Sequence, residues 1–276
     1  MKIDAHQHFW NLEKLAYPWL SPDATVLYRN FTPADLAPEL AACGIDGTVF
    51  VQATHAEVEI DWVFELAREN PFIKGVVGWL DITAPDLGEK LAAYRAKGPL
   101  CGIRHQVHDE PDPRWLLRPD VIDGLKLLAK QDVTFDLLLR PVHLPFIPEL
   151  LRAVPDGHWV IDHISKPEIK DGKIEPWFQD LRRVAEFPNV YCKISGMITE
   201  ADHANWTIEN IRPYFERVLE MFGPKRLLYG SDWPVCLLAG SYRQVYELAA
   251  ALTASLSQDE QAAFWGGTAQ QVYKLA

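Results

Sequence analysis

Eight short, mostly apolar runs, each followed by a segment of helical period, predict a single-domain (β/α)8 TIM barrel of the α/β class over residues 1–276. Nearly all-apolar strands alternating with amphipathic helices imply a parallel sheet covered by helices. The turn after the first run lacks the G-x-G-x-x-G that a doubly wound nucleotide-binding sheet would carry there. No linker, low-complexity tract or shift in composition marks a second domain.

The first strand is read in KIDAHQHFW (2–10). Side chains alternate faces along a strand, so Asp4, His6 and His8 are expected on one face and Ile3, Ala5 and Gln7 on the other. An acid and two imidazoles make a poor core surface, but they suit ligands or proton carriers. The remaining strands are GTVFVQA (47–53), KGVVGWLDI (74–82), CGIRHQV (101–107), VTFDLLL (133–139), HWVIDHIS (158–165), VYCKISG (190–196) and RLLYGSDW (226–233).

The intervening helices carry start signals and apolar faces. Thr32-Pro33-Ala34-Asp35 offers an N-cap, a proline at the first helical position and an acid in the first turn. Ile60, Val63, Phe64 and Ala67 form a helical stripe, as do Val121, Leu125 and Leu128, and Ile211, Phe215, Val218 and Phe222. Ser257 and Glu260 have capping-box spacing, and Gly266-Gly267 sets off a last short helix. Residues 11–30 form a long first loop rich in aromatics and proline, including Tyr17, Pro18, Trp19, Pro22 and Tyr28; long ordered loops tend to be functional.

A net charge of −11 and the lack of any Lys/Arg cluster argue against nucleic acid and acidic membrane surfaces as partners. A small-molecule substrate remains, with a homo-oligomer open. The sequence shows no signal-peptide pattern and no apolar run of roughly 18 residues. Cys43, Cys101, Cys192 and Cys236 lack C-x-x-C pairing, which fits a reduced, cytoplasmic setting.

Chemistry in such a barrel sits at the C-terminal ends of the strands. His6 and His8, Gln52 and His55, Trp79 and Asp81, Arg104, His105 and His108, Asp136 and Arg140, Asp162, His163 and Lys166, Lys193 and Ser195, and Ser231 and Asp232 all fall there. Five of the nine histidines lie at or just past the C-terminal ends of strands one, four and six, a concentration that points to one site.

The His-x-His of strand one, the His of IDHISKP and the Asp of YGSDWP resemble the amidohydrolase superfamily, a match running from DAHQHFW to FWGGTAQQVY. The HFW start, RNFTPADLAPEL and the IRH of strand four resemble its sugar-lactone hydrolases, a subgroup that includes fuconolactonases and rhamnonolactonases. The resemblance implies hydrolysis of an L-fuconolactone-like aldonolactone to the aldonic acid. The alternative is a metal-dependent decarboxylase of an aromatic or dienoic acid, since related barrels share the His-x-His. Two-metal members resemble one another in a Lys or Glu on strand four and a His on strand five. This chain has Arg104, His105 and Asp136 there, so a two-metal site is not expected.

Lactone opening needs an activated water, a polarised carbonyl and a proton for the leaving alkoxide. Asp232 is expected as general base, and Arg104 with imidazoles as oxyanion stabilisers. His163 is expected to orient the water or protonate the leaving oxygen, and His6 and His8 to complete the pocket. No cofactor is expected to be required. One divalent cation such as zinc on His6, His8 and Asp232 is the alternative, which Arg104 would oppose by charge. Ser195 lacks the G-x-S-x-G context of a nucleophile. Trp10, Trp19, Trp79, His105, His108, Asp136 and Trp233 are the expected substrate contacts, the indoles as stacking platforms for a sugar ring.

Overall fold

A computed structural model describes residues 1–23 and 26–275. Among these, eight parallel strands form one sheet in chain order: β1 (Ile3–Gln7), β2 (Gly47–Val51), β3 (Ile73–Gly78), β4 (Leu100–His105), β5 (Thr134–Leu137), β6 (His158–Ile161), β7 (Val190–Ile194) and β8 (Leu227–Tyr229). The chain beyond β8 closes the barrel against β1: Asp232 N–H donates to His6 O at 2.8 Å, and His8 N–H donates to Trp233 O at 2.7 Å. The strands between these are those expected, and most end earlier. Their last polar residues leave the ladder to line the mouth.

The outer layer comprises α1 (Pro33–Cys43), α2 (Glu57–Glu69), α3 (Leu87–Lys97), α4 (Pro119–Lys130), α5 (Ile147–Ala153), α6 (Trp177–Ala185), α7 (Ile208–Phe222) and α8 (Tyr242–Thr253). The predicted stripes face inward: Ile60, Val63 and Phe64 of α2, Val121, Leu125 and Leu128 of α4, and Ile211, Phe215, Val218 and Phe222 of α7 are all buried. Thr32 and Asp35 form a capping box at α1, and Ser257 and Glu260 form another at α9 (Gln258–Ala262). After a wide turn at Ala263–Gly267, α10 (Thr268–Tyr273) seals the N-terminal end of the barrel. Its Ala269, Val272 and Tyr273 pack with Ile3, Ala5, Val49, Val51, Val77, Val160 and Leu228. No helix among the described residues is long and apolar enough to cross a membrane.

The first strand departs from strict alternation. Ile3 and Asp4 pair with Gly47 and Thr48, but Gln7 pairs with Phe50, so three steps on β1 match two on β2. This bulge reverses the faces. Asp4 points outward, accepting from His6 N–H (3.1 Å), Ser231 N–H (2.9 Å) and the Tyr242 hydroxyl of α8 (3.1 Å). His6 and His8 point inward without it. The shared face expected for all three is therefore corrected to the two imidazoles, and Asp4 instead fixes the bulge that aims them.

Glu59, in the first turns of α2, is a second buried acid, and both its oxygens accept the Ala53 N–H, at 3.2 and 3.1 Å. Burial pushes its carboxyl from 4.5 to about 8. The native state then holds this proton more tightly than the unfolded chain does, so stability falls as pH rises through that window. Glu59→Gln keeps an acceptor for Ala53 and cannot ionise. Its melting temperature should gain on the wild type between about pH 5 and about pH 9. A difference that stays constant across that range would contradict the assignment.

Candidate active site

Asp162 lies at the centre of the barrel mouth. Although fully buried, its carboxylate meets two cations: Arg104 Nη1 donates to Oδ2 at 2.9 Å, and Lys193 Nζ lies 3.0 Å from Oδ1. His6 Nδ1 sits 3.2 Å from the same Oδ1. Burial alone would raise this carboxyl, but Lys193, His6 and Arg104 outweigh it and hold it well below the usual range. Beneath it, Lys193 Nζ donates to Asp136 Oδ2 at 2.6 Å, and the Tyr273 hydroxyl of α10 donates to the same carboxylate at 2.8 Å. The network therefore runs from the barrel floor to the mouth.

The imidazole roles follow from their partners. Arg104 Nη1 lies 3.3 Å from His6 Nε2 and Lys193 Nζ lies 3.2 Å from its Nδ1; both cations can only donate, so each nitrogen of this ring faces a donor and a second proton on it is opposed from two sides. His8 Nδ1 donates to Val51 O at 2.6 Å, which leaves its Nε2 unprotonated. Burial lowers the affinity of both rings for a second proton. The two Nε2 atoms stand 3.2 Å apart, with Asp232 Oδ1 at 3.7 and 3.4 Å. With both rings unprotonated at Nε2, these three atoms form a donor set that fits one divalent cation.

His163 reaches this cluster through unusual backbone. After β6 ends at Ile161, residues His163, Ile164, Ser165 and Lys166 all have positive φ, from 47 to 62°. For a β-branched residue such as Ile164 this is strained, and a run of four is costly. The turn allows Asp162 and His163, neighbours in sequence, both to enter the site. His163 Nδ1 lies 2.9 Å from Ser195 Oγ, and its Nε2 is 3.8 Å from Asp232 Oδ1. Gly196 makes room for the ring: a Cβ there would approach His163 Nδ1 to 2.7 Å. Asp232 also has positive φ, at 57°. Burial pushes its carboxyl up, but the His163 and His8 imidazoles and Lys166 reverse this and hold it below the ordinary carboxylate range.

A pocket of about 260 Å³ opens above these groups, lined among others by His8, Trp19, Arg104, His108, Arg140, His163, Lys166 and Asp232. The five expected catalytic residues thus come together, with His6 just beneath the lining. Of the expected substrate contacts, Trp19 and His108 line the pocket. Trp79 and His105 stand behind it, the Trp79 indole N–H donating to His105 Nδ1 at 3.2 Å. Three expectations are corrected. Trp10 is fully buried and spends its N–H on Arg29 O (2.7 Å), and Trp233 packs against Phe9 and Phe31, so both are core. Asp136 is occupied by Lys193 and Tyr273 below the floor. Asp162 and Lys193 carry more of the architecture than the sequence reading gave them. The only signal was that each stands at a strand end, and alternation offered His163 or Asp162 but not both.

Arg104 is 2% exposed and divides its fork between Asp162 and the Gln52 carbonyl. Its Nε–H has no protein partner among the described residues. Asp162→Ala would strand both buried cations and should cost about 3–5 kcal/mol of stability in urea unfolding. A loss under about 1 kcal/mol, the range of an exposed pair, would show that the network does not carry the fold.

Residues 3–275 match a family model described as Amidohydrolase. The chain is 38% identical to an L-fucono-1,5-lactonase of Burkholderia multivorans, over 100% of this chain and 96% of that protein. An L-fucono-1,5-lactonase of Burkholderia ambifaria is 34% identical, over 99% of this chain and 96% of that one. A crystal structure of an amidohydrolase from B. multivorans with bound zinc superposes with a TM-score of 0.95 at 37% identity, each chain covered in full. Matches of this extent leave no part of the barrel outside the comparison, and the chain belongs to the amidohydrolase family.

Proposed function

We propose that the protein hydrolyses the lactone of a sugar acid, an L-fuconolactone-like aldonolactone, to the free aldonic acid. The observation that carries this reading is the convergence of a carboxylate, neutral imidazoles and a guanidinium on one pocket at the barrel mouth. The two full-length relatives named L-fucono-1,5-lactonase support the choice of substrate class.

In this mechanism the Asp232 carboxylate takes a proton from water as the water attacks the lactone carbonyl. Arg104 lines the pocket and supplies the positive charge that stabilises the developing oxyanion. His163, backed by Ser195 and with its Nε2 3.8 Å from Asp232, relays that proton from Asp232 to the ring oxygen as the C–O bond breaks. Lys166 and Arg140 at the pocket wall favour the carboxylate that forms. Trp19 supplies an apolar surface for the ring.

His6, His8 and Asp232 would hold a divalent cation, which when bound would polarise the carbonyl and acidify water. Arg104 already places a positive charge against His6 Nε2, at 3.3 Å. That charge opposes a second cation at the site, and the reading proposed is hydrolysis without the ion.

A pH-indicator assay on a panel of aldonolactones tests the reading, run with and without chelator and beside metal analysis of the protein. Lactones should be opened, and activity should persist after chelation and dialysis. Activity that vanishes with chelator and returns with zinc would overturn the metal-independent part. Asp232→Asn should lower kcat by roughly 10² to 10⁴ with the melting temperature little changed, the range expected for loss of a general base. Near wild-type turnover in that variant would remove Asp232 from the role.

A further inference from the structure

We infer that the catalytic pocket is one half of a two-part cleft, whose second half receives a neutral glycosyl unit attached to the lactone. The protein would then act on lactones of oxidised disaccharides. The inference rests on the lactonase reading and extends its substrate. A cavity of about 380 Å³ adjoins the pocket and shares Trp19, Gln106 and Asp109 with it. The catalytic half alone, at about 260 Å³, falls below the roughly 300–1,000 Å³ of small-molecule sites, whereas the joined cleft lies within that range.

The second half is built for hydroxyl groups. Trp19 is pinned by its N–H to Ala53 O at 2.7 Å and remains 38% exposed, a fixed apolar face between the two halves. His55 accepts the Gln106 N–H on Nε2 at 3.2 Å, so the neutral ring carries its proton on Nδ1, which has no partner among the described residues. The ring is held by stacking, 4.4 Å from His105 and 5.4 Å from Trp79 between centroids. Burial and the neighbouring His105 lower its pKa to about 4, which keeps that Nδ1–H a neutral donor.

Glu110 Oε1 accepts the His105 Nε2–H at 2.7 Å, leaving Oε2 free of protein partners among the described residues. Asp109 adds a second, exposed carboxylate. One indole face, one oriented donor and two acceptors match a polyhydroxylated ring, whose C–H face is apolar and whose rim donates and accepts. Among the described residues, no lysine or arginine lines this cavity, in contrast to the three that line the catalytic half, so an acidic extension is disfavoured. The glycosidic bond takes no part in the reaction. Water adds to the lactone carbonyl, the ring C–O bond breaks and the alkoxide takes the proton, as for the simple lactone.

The test compares kcat/KM for lactones of oxidised disaccharides of several linkages with that of each parent monosaccharide lactone. At least one disaccharide lactone should exceed its parent by about tenfold or more, the effect of ~1.4 kcal/mol of added binding. Glu110→Gln and His55→Ala, with melting temperatures checked, should abolish that advantage and leave the monosaccharide rates unchanged. If monosaccharide lactones are opened and no disaccharide lactone exceeds its parent, the second half is not a sugar subsite. If the advantage survives both substitutions, it arises elsewhere in the cleft. If no lactone of either kind is opened, the lactonase reading itself falls and this inference with it.

Discussion

A buried carboxylate between two buried cations is the constraint on which this site depends. Removing charges from water costs several kcal/mol per ion, and only close pairing and further hydrogen bonds offset that cost. Asp162 meets the condition by holding Arg104 from β4, Lys193 from β7 and His6 from β1 at once. The three strands cannot shift separately without breaking the cluster. Lys193 also reaches Asp136, which Tyr273 ties to the helix sealing the barrel floor. Position at the mouth is thereby linked to packing at the opposite end.

Around that fixed charge, the chain breaks local rules where chemistry requires it. A bulge in β1 turns His6 inward while Asp4 holds the outer face. Four consecutive residues with positive φ bring His163 beside Asp162 and aim Lys166 into the pocket. Such conformations persist only when their surroundings over-determine them. Here the surroundings are visible: Ser195 against the ring, Gly196 leaving space for it, and Trp177 bonded to the Ile164 carbonyl at 2.7 Å.

The architecture was legible because it rests on periodicity. Ile60, Val63 and Phe64, or Ile211, Phe215 and Val218, can be buried on one face only if the segment is helical, and the apolar runs between them leave little but parallel strands. His6, His8, Arg104, His163 and Asp232 were legible because polar groups at a barrel's strand ends have few other uses. The indoles were not. Trp10 and Trp233 lie beside the same ends as Trp19, and only the fold of the first loop decides that the first two fill the core while Trp19 remains at the surface. Asp162 was hidden by alternation, which a left-handed turn sets aside. Asp136 read as a mouth residue because nothing in the sequence reveals that Tyr273, 137 positions away, occupies it.

The central claim is that the network holds the two strand-one imidazoles neutral, with their Nε2 atoms turned toward Asp232 and the pocket. Nitrogen-15 spectra of the histidine rings in metal-free protein at neutral pH read protonation and tautomer directly. The account predicts that His6 and His8 are both neutral, that His8 is protonated on Nδ1, whose proton goes to Val51 O, and that Asp162→Asn disturbs His6 more than His8. An imidazolium at either position, or a proton on Nε2 of His8, would contradict it.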